Sequence, residues 1–400
     1  MRLASGVLVA LLLACSDPPA PADPTPASSP SAPALAQVSP ESVAFLQAKG
    51  WWPLEVGYFA DVPGFSAHWA VMCADRLLQA RGIEANCQSF NSGPPILEAF
   101  LSGQTQLTHY GDFPFWNTVD KGVGAVAFAV TGVNNEVALV VPVDSPFTSL
   151  DDLRAADHEL VIGTTLGSYA EFYLASIPGL KYRIAGMSMR DAQLVPKGVD
   201  AVAVWDPHLS LTLDRGLGRK VDNVFPWYVP TAYEFVRREL HESAPDVVQA
   251  IADASLEALL AVRADPARAA KLQVADPRAR GWTEAQARAQ IDRYLLLYKP
   301  TYKYLHADFW AAEDARVVAS QFAAGRLTRA RSAEDLKHDF VPEYMARSLA
   351  ARGWRVPTAP VFLPQGWSGV VGSPPYPPTL NAGTLTDPQP FPEPGDLAGP

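Results

Sequence analysis

Between residues 54 and 225 short apolar segments of strand length alternate with segments of helical period, and this alternation constrains the chain more than any other feature. LEVGYF (54–59), IEANCQSF (83–90), QLTHYG (106–111), VGAVAFAVT (123–131) and EVALVVPV (136–143) read as strands. ELVIGTT (159–165), YRIAGMS (182–188), AVAVWDP (201–207) and VDNVF (221–225) continue the series. Helical patterns separate them at 66–82, 94–103, 150–155 and 168–177. Gly82 fits the stop of the first helix, and Pro94 is tolerated in the opening turn of the second. EVALVVPV is nearly continuously apolar, as a strand covered on both faces must be. Such alternation is the signature of open α/β sheets. After Pro230 the period becomes helical, at 245–263, 283–298, 308–324 and 333–351, and no internal repeat is evident.

The two ends are different in kind. MRLASGVLVALLLAC carries one positive charge, Arg2, and then an apolar run from Val7 to Ala14. That run is shorter than the roughly 20 residues a spanning helix needs, and it matches a secretory signal. Its end, LLAC (Leu12 to Cys15), resembles a bacterial lipobox, in which the cysteine is lipidated after cleavage. The expectation is a signal peptide over 1–15 with lipidated Cys15. A tether of Pro, Ala, Ser, Thr and Asp follows over 16–41, and a proline-rich tail runs over 356–400. Such compositions bury too little apolar surface to fold. About residues 42 to 355 remain for the folded part, room for two domains.

The formal net charge is −10, and nothing resembles the basic stripe of a nucleic-acid binder. Besides Cys15 there are Cys73 and Cys87. In an oxidising compartment they form a disulfide or sit as two small buried residues; the spacing leaves both open.

In open α/β sheets ligands bind beyond the carboxyl ends of the strands. The segments found there are YFADVPGFSAHW, YGDFPFW (110–116), TGVNN, TTLGSYAEF and WDPH. Several carry rings: Tyr58, Phe59, Phe113, Trp116, Tyr169 and Trp205. YGDFPFW reads as an aromatic pocket loop, with Gly111 permitting close approach. Helix starts at Ser66 and Ser168 point backbone N–H groups into the same region. Asp61, Asp112, Glu171 and Asp206 stand beside the rings, and no cation between Pro53 and Asp144 falls on a pocket loop. Rings with carboxylates suit a neutral or cationic nitrogenous solute better than a doubly charged anion, which lacks an arginine fork.

Several stretches, in order, resemble the solute-binding proteins of ABC importers in the nitrate, sulfonate, taurine and thiamine-precursor family. They are Gly111-Asp112, EVALVVPVDSPFTSLDDL (136–153), VIGTTLGSYAEFYL (161–174), GVDAVAVWDP (198–207) and DVVQAIADASLEALLAVRADPARAA (246–270). The resemblance covers about residues 54 to 275. It implies a type II periplasmic-binding-protein fold, in which two α/β lobes flank a ligand cleft, with additional C-terminal helices. Lobe 1 is expected over 42–142 plus 228–355 and lobe 2 over 143–227, with hinges near Val141–Val143 and Phe225–Val229. With the lipobox at Cys15, the expectation is a periplasmic, lipid-anchored monomer that captures a small organic solute (nitrogenous, heteroaromatic or sulfonate-like) and delivers it to permease and ATPase subunits. By family position the ligand-binding candidates are Asp112, Phe113, Ser168, Tyr169, Trp205 and Asp206, with Phe59, Phe65 and Asn134.

Other classes are weighed on particular residues. His68, His109 and His208 each adjoin a pocket segment, as zinc ligands would. No HExxH and no cysteine ligand accompany them, so no metal or other cofactor is expected. Gly167-Ser168 does not form G-x-S-x-G, so a hydrolase elbow is absent, and no catalysis is expected. A tethered solute sensor without transport is the alternative within the binding class, and an enzyme built on the same fold is the alternative outside it.

Overall fold

Two five-stranded sheets organise the residues described by this computed structural model: 36–91, 93–133, 136–224, 227, 230–279, 281–297 and 307–352. Helix α1 (Pro40–Ala48) starts where the tether was expected to be ending, with Pro40 in its first turn and the Ser39 side chain accepting from Ser42 N–H. Asp246 ties this start down by accepting from Ser39 N–H at 2.7 Å. Then follow β1 (Leu54–Phe59), α2 (Pro63–Ala74), β2 (Ala85–Phe90), α3 (Gly93–Leu101), β3 (Leu107–Gly111), α4 (Asp112–Asp120) and β4 (Ala125–Val133). A single 3₁₀ turn, Gln79–Arg81, ends at Gly82, which adopts the left-handed conformation that glycine takes without a Cβ clash.

The chain next enters the second sheet. Its elements are β5 (Val137–Pro142), α5 (Leu150–Arg154), β6 (Leu160–Thr164), α6 (Tyr169–Ser176), β7 (Tyr182–Gly186), α7 (Met189–Ala192), β8 (Ala201–Trp205), α8 (His208–Asp214) and β9 (Gly218–Asn223). It returns through β10 (Thr231–Arg237) to the first sheet and finishes in helices. These are α9 (Arg238–Ser243), α10 (Pro245–Ala264), α11 (Pro266–Ala275), α12 (Glu284–Leu297), α13 (Ala307–Ala323), α14 (Ala333–Lys337) and α15 (Glu343–Ala351).

The strand orders are β2-β1-β3-β10-β4 and β7-β6-β8-β5-β9. Each sheet has three parallel strands, then one strand antiparallel to both its neighbours. That antiparallel strand is the one delivered by a crossover: β5 on the way out, β10 on the way back. We call the first sheet with its helices lobe 1 and the second lobe 2.

The first crossover differs from expectation. The change of sheet falls between Val133 and Val137, not at Val141–Val143, so β5 belongs to lobe 2. An apolar run reports burial on both faces, which β5 has, but does not report in which sheet. The second crossover lies between Asn223 and Thr231, and the expected hinge Phe225–Val229 falls, apart from Trp227, outside the described residues.

Helices α10, α11 and α12 pack on α2, burying Trp69, Val71 and Met72 with Val248, Ile251 and Ile291. The chain near Phe340 covers the edge of β4: Ala127 N–H donates to Asp339 C=O and Val341 N–H to Ala127 C=O, both at 2.8 Å. This hides a strand edge that would otherwise pair with other chains. Of the two readings left open for the cysteines, the structure has the disulfide: Cys73 and Cys87 are joined and tie α2 to β2.

Candidate functional site

The carboxyl ends of β1, β3, β6, β7 and β8 converge on one cavity of ≈ 570 Å³, lined by residues of both lobes. This is the size class of small-molecule sites. Lobe 1 contributes Phe59 and Phe65, with ring centroids 6.2 Å apart. Both rest on His109, at 5.4 and 5.0 Å, and His109 in turn stacks on Trp69 at 4.6 Å. Phe59 N–H donates to His109 Nε2 at 3.3 Å, so Nε2 is the acceptor nitrogen of a neutral ring. Lobe 2 contributes Tyr169 and Trp205, whose rings lie 5.0 Å apart and tilted by 38°. A Cβ on Gly111 of lobe 1 would sit 3.1 Å from Tyr169 Cδ1, so glycine is what lets the lobe 2 ring approach.

At the other side of the cavity the lobes are joined by charge. Asp61, after β1, is buried. Its Oδ2 accepts from Arg190 Nε of α7 at 2.7 Å, and Oδ1 accepts from a second guanidinium N–H. Trp282, which follows α11, donates its indole N–H to the same Oδ1 at 2.9 Å. The bidentate fork is the strong form of this pair. His208 stands beside it, its ring 6.2 Å from Trp282, with Nδ1 2.9 Å from Gln193 Oε1 and therefore donating to it. Burial pushes the His208 pKa down to about 4; Arg190 acts in the same sense and Asp61 against it.

Phe59, Phe65, Ser168, Tyr169 and Trp205, all expected at the site, line the cavity. Asp112, Phe113 and Asp206 do not. YGDFPFW is not a loop: Asp112 opens helix α4, and Pro114 falls in its first turn where its missing N–H costs nothing. Phe113, Phe115 and Trp116 are buried in a core cluster with Phe235 and Phe340, while Tyr110, Gly111 and Pro114 reach the cavity. Asp112 accepts from Phe113 N–H at 2.6 Å and from Thr231 N–H and Oγ1–H, each at 3.3 Å. Asp206 accepts from Ser210 N–H at 3.1 Å and Ser210 Oγ–H at 2.7 Å. Glu171 accepts from Gly167 N–H at 2.7 Å and pairs with Arg326 at 2.7 Å. The carboxylates expected to face a solute are thus engaged by the chain itself, Asp61 by Arg190 and Trp282 and the other three by the donors just named. Asn134 and Cys15 lie outside the described residues.

Arg190 and Asp61 are the charged residues that line the cavity among the described residues. Arg190 is not among the residues expected from the sequence, since it lies beyond the Pro53–Asp144 stretch whose cations bear on the pocket loops. The strand-end rule applied to YRIAGMSMR would have found it. The three histidines do not converge: His68 bonds buried Glu234 at 2.8 Å, His109 lies under Phe59, and His208 is in lobe 2. Among the described residues no three metal-ligating side chains come together.

No protein-family model matches this sequence, and no curated protein does. Solved structures do match. SsuA, the periplasmic aliphatic sulphonate binding protein of Escherichia coli, superposes with a TM-score of 0.56 at 19% identity, over 70% of this chain and 90% of that one. NrtA, the periplasmic nitrate-binding protein of Synechocystis PCC 6803, gives 0.57 at 12% identity, over 77% and 91%. A cysteine-to-serine mutant of DszB, solved in complex with biphenyl-2-sulfinic acid, gives 0.52 at 17% identity, over 74% and 99%. The fold is that of these proteins: two α/β lobes of the type II periplasmic-binding-protein kind, as the sequence implied.

The His208 pKa generates a pH prediction. In the unfolded chain the ring titrates near about 6.5; in the folded chain it stays neutral down to about 4. The folded state therefore binds fewer protons between these values, and stability is lost as pH falls from about 6.5 through about 4. The full effect is about 3 kcal/mol. Urea unfolding at several pH values should show a flatter acid limb for His208→Gln than for the parent. Equal slopes would contradict this.

Proposed function

We propose that this chain is the solute-binding protein of an ABC importer, taking up a small organic, ring-bearing solute between its lobes and presenting it to permease and ATPase subunits. The observation that carries the reading is the cavity itself. It is built from strand ends of both lobes, with aromatic rings from each, on a fold shared with sulphonate- and nitrate-binding proteins. A solute placed there touches both lobes, so its binding free energy favours their closed arrangement. The protein acts as a monomer and returns its solute unaltered. Its address is the periplasmic face of a bacterial membrane, where diacylated Cys15 anchors it through the Pro-rich tether. No helix among the described residues is long and apolar enough to cross a membrane, and two or more acyl chains suffice for stable attachment.

A thermal-shift screen of organic amines, heteroaromatics, amino-acid derivatives, sulfonates and nitrate tests the binding role. A true solute raises the melting point with concentration. Trp205→Ala and Tyr169→Ala should each weaken its binding about tenfold, ~1.4 kcal/mol. Undiminished binding in both variants would remove the rings from the site. For the anchor, wild type and Cys15→Ser are expressed in a bacterium and fractionated. The wild type should sediment with membranes and the variant should not; identical partitioning would refute lipidation.

A further inference from the structure

We infer that the cleft takes an uncharged aromatic or heteroaromatic solute, because Asp61 and Arg190, the charged side chains that line the cavity among the described residues, are paired with each other, and three of the helix starts beside it already carry a carboxylate of the chain. The inference rests on the binding role proposed above and narrows it to a solute class. Helices α4, α6 and α8 all begin at strand ends beside the cleft, and a helix start attracts anions through its N–H groups and dipole. Each of the three meets a carboxylate of its own chain. Asp112 holds the Phe113 N–H at 2.6 Å, Glu171 the Gly167 N–H at 2.7 Å, and Asp206 the Ser210 N–H at 3.1 Å. An incoming nitrate or sulfonate at these starts would meet a negative charge already in place. The Arg190 guanidinium, the cation that lines the cavity among the described residues, is forked onto Asp61. His208 adds no charge near neutral pH, since burial keeps its pKa at about 4.

What remains is apolar surface with a few neutral hydrogen-bonding groups. Phe59, Phe65, Tyr169 and Trp205 offer ring faces and edges, which stack on other rings. Asn91 and Asn117 also line the cavity and carry amides suited to ring nitrogens, carbonyls or amino groups. A solute with net charge would lose its hydration in this cleft and find the charged side chains that line it, among the described residues, already paired, unless it broke the Asp61–Arg190 pair. Either course costs affinity.

The test uses the full chain and shape-matched pairs of probes: nicotinamide with nicotinate, benzenesulfonamide with benzenesulfonate, and phenylacetamide with phenylacetate, beside nitrate and ethanesulfonate. Melting shifts and calorimetric titrations at pH 7.5 read the affinity ratio within each pair. The inference expects the neutral member to bind at least tenfold better. It also expects Asp61→Asn, which strips Arg190 of its counter-charge, to move the ratio at least tenfold toward the anion. Arg190→Gln should not move it that way. Tighter binding of the anionic members, nitrate or ethanesulfonate by the parent protein overturns the inference and leaves the binding role standing. An Asp61→Asn ratio equal to the parent's also overturns it. Silence from all eight probes overturns it as well, and the wider screen then decides the binding role independently.

Discussion

The ion pair between Asp61 and Arg190 is the constraint on which the arrangement of this protein depends. It is the point at which a residue after the first strand of lobe 1 grips a residue after the second parallel strand of lobe 2. With Asp61 buried, separation of the lobes on this side must either break a charged fork or carry Arg190 along. Trp282 adds a third hydrogen bond from the helical extension, so segments far apart in sequence meet at one carboxylate. Removing Arg190 would leave the buried Asp61 charge without its ionic partner, which costs more than the pair contributes when intact.

The same logic runs through the rest of the cleft. Carboxylates at the starts of α4, α6 and α8 look, in a linear sequence, like groups waiting for a cation. In the fold each satisfies its own backbone, and Glu171 reaches Arg326 as well. The apolar rings are thereby left to define the cavity. A packed core lies immediately beneath: Phe59 and Phe65 over His109, and His109 over Trp69. Ring positions at the cavity floor are therefore set by buried neighbours, not by loops, which favours a preformed site.

The fold was legible because strand and helix periods differ and because strands covered on both faces leave long apolar runs. LEVGYF (54–59) matches β1 residue for residue, and helices α9 to α15 follow as expected, but the chain after Pro230 first forms strand β10 (Thr231–Arg237), which the helical reading of this region missed. What failed was assignment across space. EVALVVPV declared a buried strand but not the sheet it joins, so the lobe boundary was placed several residues late. YGDFPFW declared aromatic density but not direction. A helix starting at Asp112 turns Phe113, Phe115 and Trp116 into the core and leaves Tyr110 and Pro114 at the cavity. The place of Arg190 beside the cleft was legible from the strand-end rule, but its pairing was not: Asp61 lies 129 residues away, and no local pattern encodes such a meeting.

The central claim is that the Asp61–Arg190 fork holds the two lobes around the cleft. The direct measurement is the distribution of distances between spin labels at exposed positions of opposite lobes, Glu98→Cys in lobe 1 and Arg183→Cys in lobe 2. In the protein with Asp61 intact the distribution should be narrow. In the same doubly labelled protein carrying Asp61→Asn it should broaden and move to longer distances. Superimposable distributions for the two proteins would contradict the account.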